Sequence, residues 1–298
     1  MHSTASDGSE SPATLVERAK AKGLQAIAIT DHDTVGGVLE GLEAGKRAGI
    51  EVVPGVEIGI AHDPERDLVE IDILGYYVDP THPDLVEALD LLQKAKNGKL
   101  AKQLRVLAEN DLAIPEEEVL AEAAGDTVRR PHIWKVLKRH HPDFRADVFF
   151  ERTSYGGEWH VTKDFSLTLE ATADLIERAG GVSSLAHPGA YNALFSKTGQ
   201  LIDPSVDRAI GVCAEAGVRG LEVYYTYDKN RPYHDGEALI TKERLAELVS
   251  HYQRTAERHG LVPTGGTDFH GTSKPQIEIG EIPVPATVLD ALRAVRAS

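Results

Sequence analysis

Short apolar segments alternate with amphipathic helical patterns along most of this 298-residue chain. Residues 12–22 and 36–49 are predicted helices, and Ser11 is the expected N-cap of the first. The predicted strands are residues 24–30, 51–60, 69–78, 181–186, 220–225 and 261–267. Such alternation predicts a parallel sheet or barrel that is covered by helices on its outer side.

The segment 83–163 breaks this alternation. It contains a long helical pattern at 85–109, shorter ones at 116–124 and 131–139, and an irregular aromatic stretch at 142–160. We therefore predict two domains. Residues 1–82 and 164–298 form the barrel, and residues 83–163 form a helical insertion that can act as a lid over the active site.

Composition excludes several kinds of protein. The single cysteine, Cys213, excludes an internal disulfide framework and a cysteine-based zinc site. A net charge of −15, from 32 basic and 47 acidic residues, opposes a broad phosphate-binding surface for nucleic acid. No apolar run approaches the ~20 residues that a membrane span needs. The polar first twelve residues lack a signal-peptide core, so we expect a soluble, cytoplasmic protein.

Histidine and carboxylate residues stand in the last part of four of the predicted strands or directly after them. They are Asp31-His32-Asp33, Glu57, His187 and Asp268-Phe269-His270. Each alone is typical of a turn or a helix cap. The carboxyl ends of barrel strands meet at one mouth, however, and several carboxylates buried there need cations to compensate their repulsion.

A ligand set of imidazole and carboxylate without thiolate is compatible with Mn, Fe or Zn and does not distinguish among these metals. Two or three adjacent divalent ions would activate water and hold the oxygens of a phosphate. Phosphate ester hydrolysis fits such a site well, and amide hydrolysis is an alternative.

These residues belong to a wider set of motifs spread over nearly the whole chain. The segments are HSTASDG at 2–8, ITDHDT at 29–34, GVE at 55–57, ILGY at 73–76, RPH at 130–132, LAHPG at 185–189 and GTDFHG at 266–271. In this order they resemble the PHP (polymerase and histidinol phosphatase) superfamily, and more narrowly its TrpH-like branch of metal-dependent phosphoesterases.

The resemblance implies a distorted (β/α)7 barrel with a di- or trinuclear metal site. It also implies hydrolysis of phosphoesters in nucleotides or short RNA. Some branch members remove the 3′-phosphate of 3′,5′-bisphosphonucleotides, and others trim RNA from its 5′ end. The ligands that it implies here are His2, Asp7, His32, Glu57, His187, Asp268 and His270. Glu57 is the expected bridge between ions, and Asp268 or His270 would handle the proton.

Two positions depart from the family pattern. The first histidine of the opening His-x-His would stand directly before Met1, so our hypothesis is that the natural protein begins a few residues upstream. If it does not, one metal binds more weakly. Asp72 stands where the branch usually has histidine. It can still be a ligand through oxygen, or it can be a polar residue at a strand end.

The insertion supplies the expected substrate contacts. Arginine suits phosphate oxygens, and the resemblance favours Arg130 and His132 as phosphate contacts, with Arg129 on the surface. Tyr224 could line the mouth or pack in the core, and Lys163 could line the mouth similarly.

Two alternatives to a nucleotide phosphoesterase remain open. One is a histidinol-phosphate phosphatase with the same metal site, and the other is a metal-poor, non-catalytic binding module. The acidic net charge favours a nucleotide or short RNA over a long one, because little basic surface is left to follow a strand. The sequence leaves the oligomeric state open.

Overall fold

The computed structural model describes residues 1–123, 128–189, 202–229 and 241–296. In this part of the chain one sheet has six strands in the order β1-β2-β3-β4-β5-β6. The strands are β1 (Ala26–Ile29), β2 (Glu51–Gly59), β3 (Asp72–Tyr76), β4 (Val182–Leu185), β5 (Gly220–Tyr224) and β6 (Val262–Gly265). The helices are α1 (Pro12–Ala21), α2 (Val38–Ala48), α3 (Pro83–Glu109), α4 (Glu116–Ala123), α5 (Arg130–His140), α6 (Ala146–Thr153), α7 (Leu169–Arg178), α8 (Pro204–Glu215), α9 (Lys242–His259) and α10 (Thr287–Arg296). The predicted α/β class is confirmed.

The sheet is mixed rather than fully parallel, and its six described strands are one fewer than a (β/α)7 barrel has. β3 runs antiparallel to both β2 and β4, whereas the other neighbours are parallel. The physical reason lies in residues 60–71. They contain only a 3₁₀ turn, Pro64–Arg66, and so provide no helix to carry the chain back for a parallel pairing. The reversal puts Asp72 opposite Gly59, at the end of β2 that carries Glu57.

The helices outside the insertion cover the sheet with apolar side chains. Ser11 caps α1 as predicted, because its side chain accepts the N–H of Thr14 at 3.2 Å. One buried cluster joins β2–β5 to α7, α8 and α9, and a second joins β1 to α1 and α2. None of the described helices is long and apolar enough to cross a membrane.

The insertion contains the helices α3–α6 and has an apolar cluster of its own. Phe149, Phe150 and Trp159 are buried in that cluster together with the second half of α3. α6 lies in the stretch that we predicted to be irregular. It is helical because Phe149 and Phe150 pack into the insertion core, with ring centroids 5.0 Å apart. The first half of α3 packs on the barrel core instead, so this helix connects the two predicted domains, whose boundaries stay a prediction.

The first residue of the chain continues the sheet at the edge of β1. The Met1 amino group donates to the Ala28 carbonyl at 3.4 Å, and the Met1 carbonyl accepts the Thr30 N–H at 3.0 Å. This is the bonding pattern of a parallel pairing with Ile29. A cavity of about 390 Å³ lies beside it and is lined by residues of β1 and β6.

Candidate metal centre and substrate cleft

A loop at the start of the chain is held against the end of β1 by one buried carboxylate. Asp31 accepts the N–H of Ser3 at 2.7 Å, the Ser3 hydroxyl at 2.7 Å and the Ser6 hydroxyl at 2.6 Å. These bonds fix the loop that carries His2 and Asp7. Asp31 therefore positions neighbouring groups and has its oxygens occupied.

The loop and two strand ends form a first group of candidate ligands. The atoms of His2, Asp7, His32 and His270 that could bind a metal lie within 4.8 Å of one another. The His2 ring stacks against His32 at 4.2 Å and against His270 at 4.1 Å between centroids. The Nε2 atom of His270 lies 3.4 Å from Asp7 Oδ1.

Glu57 connects this group to two others. Its Oε2 lies 3.1 Å from His2 Nε2, and its Oε1 lies 3.0 Å from His187 Nε2. The other candidate groups are His2, Glu57 and Asp268, and His32, Glu57 and Asp72. The structure therefore brings all of the predicted ligands into one buried cluster, with Glu57 at the position of a shared carboxylate.

The charges of the cluster hold its carboxylates ionised. Burial opposes ionisation of Asp7, Glu57 and Asp268, but neighbouring charges outweigh it and hold their pKa values well below the usual range. The charges of His270 and His32 lower the pKa of Asp7, and the charge of His32 lowers the pKa of Glu57. The charges of Lys274 and His270 lower the pKa of Asp268. The floor of the site therefore carries concentrated negative charge.

The imidazoles of His2 and His187 are protonated at neutral pH in the metal-free protein. Burial lowers the pKa of His2, but hydrogen bonds to Asp268 and Glu57 outweigh it and raise this pKa to about 9. Burial also lowers the pKa of His187, but the hydrogen bond to Glu57 outweighs it and raises this pKa to about 9. His32 is different, since burial and the charge of Arg129 hold its pKa well below the usual value.

The donor set fits divalent metal ions. It contains only nitrogen and oxygen atoms, and its overlapping groups offer three or four of them at metal-binding separations. The Nδ1 atom of His2 is buried and has no hydrogen-bond partner among the described residues, which is costly without a ligand. These observations support the binding of divalent metal ions by the cluster.

Backbone strain also concentrates here. Asp33, His187 and Asp268 have positive φ values of 52°, 26° and 53°, a region that non-glycine residues rarely adopt. Each follows a predicted strand. Strain of this kind persists where the surrounding structure fixes a side chain for a task.

Three supporting groups were not identified from the sequence. Glu222, on β5, accepts the backbone N–H of His187 at 2.8 Å, and burial raises its pKa to about 7. The Tyr225 hydroxyl and the Lys274 ammonium donate to Asp268 Oδ2 at 2.9 and 2.7 Å. Such partners orient metal ligands. A carboxylate inside the apolar segment 220–225 was the available signal for Glu222.

The first of the two consecutive arginines lies elsewhere than we predicted, whereas the prediction that Arg130 contacts phosphate stays a prediction. Arg129, which we expected on the surface, has Nη1 3.5 Å from Asp7 Oδ2. Arg130 has Nη2 3.0 Å from Glu70 and donates from Nη1 to Ser154 at 2.7 Å. His132 is buried and its Nδ1 accepts the Arg129 N–H at 3.2 Å, which leaves Nε2 as the donor of the neutral ring.

Tyr224 is not brought to the mouth. Its hydroxyl accepts from Gln253 of α9 at 3.1 Å, and its ring packs against the apolar clusters of the sheet. The register of β5 shifts between Glu222 and Tyr224. A bulge of this kind re-aims side chains, so that Glu222 and Tyr225 face the site.

A cavity of about 640 Å³ lies between the metal-binding cluster and the insertion. Its floor includes Asp7, His32 and His270. The cations that line it are Lys96, Lys99, Arg129, Arg130, Lys135, Lys163, Lys229 and Lys274. An acidic floor below a basic wall suits an anionic substrate bound to divalent ions.

Replacing Asp72 tests its assignment as a ligand. Its Oδ2 lies 3.9 Å from His187 Nε2, and burial and then the charge of Glu57 raise its pKa to about 6. We expect Asp72→Asn to weaken metal binding by roughly 10- to 100-fold, judged by the cost of changing groups close to a metal. Metal content after dialysis measures this. Asp67→Asn is the control, since Asp67 pairs with Arg208 outside the cluster. Unchanged metal content in Asp72→Asn would exclude Asp72 as a ligand.

Comparison with known proteins gives consistent matches. The PHP domain family profile matches residues 1–149. The 5′-3′ exoribonuclease Rnm of Escherichia coli is 30% identical over 282 residues, which cover 94% of this chain and 86% of that protein. The 3′,5′-nucleoside bisphosphate phosphatase of Chromobacterium violaceum is 26% identical over 286 residues, covering 94% and 89%. A solved structure from Bifidobacterium adolescentis, described as a metal-dependent phosphoesterase, matches with a TM-score of 0.75 and 27% identity over 98% of this chain and 93% of that one.

Proposed function

The chain belongs to the PHP domain family and is a hydrolase of phosphoester bonds, and from this premise we propose that its substrate is a nucleotide or a short RNA. The observation that carries the proposal is the cleft itself. A buried cluster of carboxylates and imidazoles, with Glu57 shared among its ligand groups, faces a wall of lysine and arginine side chains. The floor suits the reacting phosphate, and the wall suits the remaining negative charge of a nucleotide.

The ligand set proposed for two or three divalent ions is His2, Asp7, His32, Glu57, Asp72, His187, Asp268 and His270. When bound, such ions supply Lewis-acid activation of water and of the phosphoryl group. Glu57 is at the centre of this set, because its two oxygens face different imidazoles.

The chain's own residues would orient the reacting phosphate. The Arg129 guanidinium lies beside Asp7 at the floor, where it can neutralise a phosphoryl oxygen. His132 is fixed by the Arg129 N–H and can donate from Nε2 to a second oxygen. Holding the phosphate between fixed donors reduces the entropy cost of the reaction.

Two groups were proposed to move the proton, and their bonding differs. The Nδ1 atom of His270 lies 2.8 Å from the backbone carbonyl of Asp268, so Nε2 is the atom that faces the cluster. In Asp268, Oδ2 already accepts from Tyr225 and Lys274, and Oδ1 lies 2.9 Å from His2. A nitrogen that binds a metal cannot also carry a proton. If Nε2 of His270 is a ligand, Asp268 is the remaining candidate for the proton carrier; if it is not, His270 carries the proton and Asp268 is a ligand.

A comparison of substrates tests the proposal. Protein reconstituted with Mn, Fe or Zn is incubated with adenosine 3′,5′-bisphosphate, a 5′-phosphorylated RNA oligomer and histidinol phosphate, and metal content is measured in parallel. We expect turnover of at least one of the first two. Preference for histidinol phosphate would support the alternative phosphatase. Full metal loading without turnover of any of the three would contradict the proposal, and absence of bound metal would favour the non-catalytic module.

A further inference from the structure

The long helix α3 passes from the barrel to the insertion beside the metal-binding cluster. Its first half packs on the barrel core, and its second half packs in the insertion core from Leu100 onward. Lys96 lies between these two halves, and its ammonium group forms an ion pair with the buried carboxylate of Asp33. The helix therefore changes from one core to the other where it contacts the residue directly after His32, a proposed metal ligand.

Asp33 connects α3 to the strand that carries Glu57. The Asp33 backbone N–H donates to the Glu57 carbonyl at 2.7 Å, and Asp33 Oδ1 accepts the Gly59 N–H at 3.2 Å. From the other side, Asp33 Oδ2 faces the Lys96 ammonium, and the Asp33 carbonyl accepts from Gln93 Nε2 at 3.3 Å. Two residues of α3 thus hold a residue that is itself bonded to the end of β2.

The backbone of Asp33 depends on such contacts. Its φ of 52° lies in the left-handed region, and a conformation of this kind persists where the surroundings fix it. The preceding residue, His32, forms a parallel bridge with Glu57. A change in the backbone at Asp33 would therefore displace His32 relative to Glu57, although neither side chain would have been altered.

We propose that Lys96 and Gln93 are positioning residues that act through Asp33. They hold His32 and Glu57 in the arrangement that binds metal. The inference rests on the ligand set of the proposed function, and it means that the insertion contributes to metal affinity although it supplies none of the proposed ligands. Because coupling between two sites is reciprocal, bound metal should in turn stabilise this part of α3.

Lys96→Met separates positioning from a simple effect of charge. Removal of a positive charge close to a cation site would, by Coulomb's law alone, tighten metal binding. Loss of positioning has the opposite effect, because the buried carboxylate of Asp33 is left without its ion pair and its contacts with β2 loosen. We expect Lys96→Met to raise the Kd for Mn by about 10- to 100-fold in equilibrium dialysis, the cost of changing a group that supports metal ligands. Lys96→Arg should keep most of the affinity.

Lys94→Met is the matched control. Lys94 is exposed on the same helix, two residues before Lys96, and its replacement removes the same charge. We expect the Kd for Mn to be unchanged in this variant. The same Kd in Lys96→Met protein as in Lys94→Met protein, or tighter binding in Lys96→Met protein, would overturn the inference.

Kinetics at saturating metal distinguish positioning from direct contact with the substrate, since Lys96 also lines the cleft. On the nucleotide or RNA that the enzyme hydrolyses, kcat and KM of Lys96→Met protein should approach the wild-type values as Mn is raised. A raised KM at saturating Mn, together with an unchanged Kd for Mn, would assign Lys96 to substrate binding and contradict a positioning role.

Hydrogen exchange in the metal-free protein tests the same contacts without any turnover. The amides of Asp33 and Gly59 donate the bonds that join Asp33 to β2. In Lys96→Met protein we expect their exchange to become at least about tenfold faster, the worth of a charged contact, while the amides of β4 and β5 change less. Equal acceleration throughout the sheet would indicate a general loss of stability, and unchanged exchange at Asp33 and Gly59 would show that Lys96 does not hold them. Either result would refute the inference.

These measurements also separate the inference from the proposed function. If no nucleotide or RNA is hydrolysed but exchange at Asp33 and Gly59 responds selectively to Lys96→Met, the proposed reaction fails and the role of α3 stands. If a nucleotide is hydrolysed but neither the exchange nor the Kd for Mn responds, the proposed function stands and the role of α3 fails.

Discussion

Glu57→Gln is expected to lower kcat/KM by at least about 10³-fold, because activation of water by bound ions is worth several kcal/mol. Glutamine keeps the size of the side chain, but it offers one neutral oxygen in place of two charged ones. It cannot accept hydrogen bonds from the imidazoles of His2 and His187 at the same time. In Glu57, Oε2 lies 3.1 Å from His2 Nε2 and Oε1 lies 3.0 Å from His187 Nε2. The measurements are steady-state kinetics and metal content.

The matched control for this substitution lies on the same strand. Glu51→Gln changes a residue at the start of β2 that pairs with Arg293 and Tyr77 outside the site. We expect normal metal content and turnover in that variant. Glu57→Gln protein that keeps both its full metal content and its turnover would show that Glu57 is not the shared ligand.

Glu57→Gln also has a signature that does not depend on activity. Hydrogen bonds to Glu57 help to raise the pKa values of His2 and His187 to about 9 in the metal-free protein. Without that carboxylate both pKa values should fall, and that of His187 should fall further, because the hydrogen bond to Asp268 still favours protonation of His2. Histidine NMR titration of the metal-free variant would detect the change, whereas a general loss of structure would alter all of the histidine signals.

Metal binding is expected to raise Tm by about 10 °C when the free metal is near a thousandfold above its Kd, since this corresponds to roughly 4 kcal/mol and each kcal/mol shifts Tm by a few degrees. Bound ions would compensate the buried carboxylates Asp7, Glu57 and Asp268, which otherwise repel one another. Chelation followed by calorimetry or dye-monitored unfolding measures the effect. No change in Tm between metal-free and reconstituted protein would contradict it.

This stabilisation should grow between about pH 6.5 and pH 9. In the metal-free protein the raised pKa values of His2 and His187 mean that their protonated forms stabilise the fold. That contribution is fully present below the unfolded pKa of about 6.5 and is lost as the pH rises through about 9. Metals bind deprotonated imidazole, so each displaced proton makes binding up to tenfold tighter per pH unit.

Proton release provides the check on this pH dependence. Titration of Mn into metal-free protein, in buffers of different ionisation enthalpy, counts the protons displaced. We expect release at pH 7 that declines toward pH 9, and less release in His2→Ala protein. A metal-induced Tm increment that is independent of pH would show that these imidazoles do not change protonation on binding.

The metal cluster was predictable because its information is local. Histidine and carboxylate residues stand directly after apolar segments, and strand ends meet at one mouth whatever the details of packing. His32, His187 and His270 were therefore predicted from the sequence, and the structure places all three in the cluster. Long helical patterns such as 85–109 were predictable for the same local reason, since their periodicity is fixed by the backbone.

The supporting groups were harder to predict because neighbours in sequence diverge in space. Arg129 and Arg130 share charge and shape, and only the start of α5 decides which one faces Asp7. A shift of register in β5 turns Tyr225 toward the site and Tyr224 toward α9. The lysines that line the cleft also come from distant segments, and no local pattern connects Lys99 to Lys163.

The class of fold, the order of most of its elements and the residue types of the metal-binding cluster could be inferred from the sequence, because residue type and periodicity express these properties over a few neighbouring positions. The reversed direction of β3, the positions of the two arginines, the support of His187 by Glu222 and the basic wall of the cleft could be seen only in the folded chain. These depend on which distant side chains share one small volume, and that is settled only when the whole chain packs.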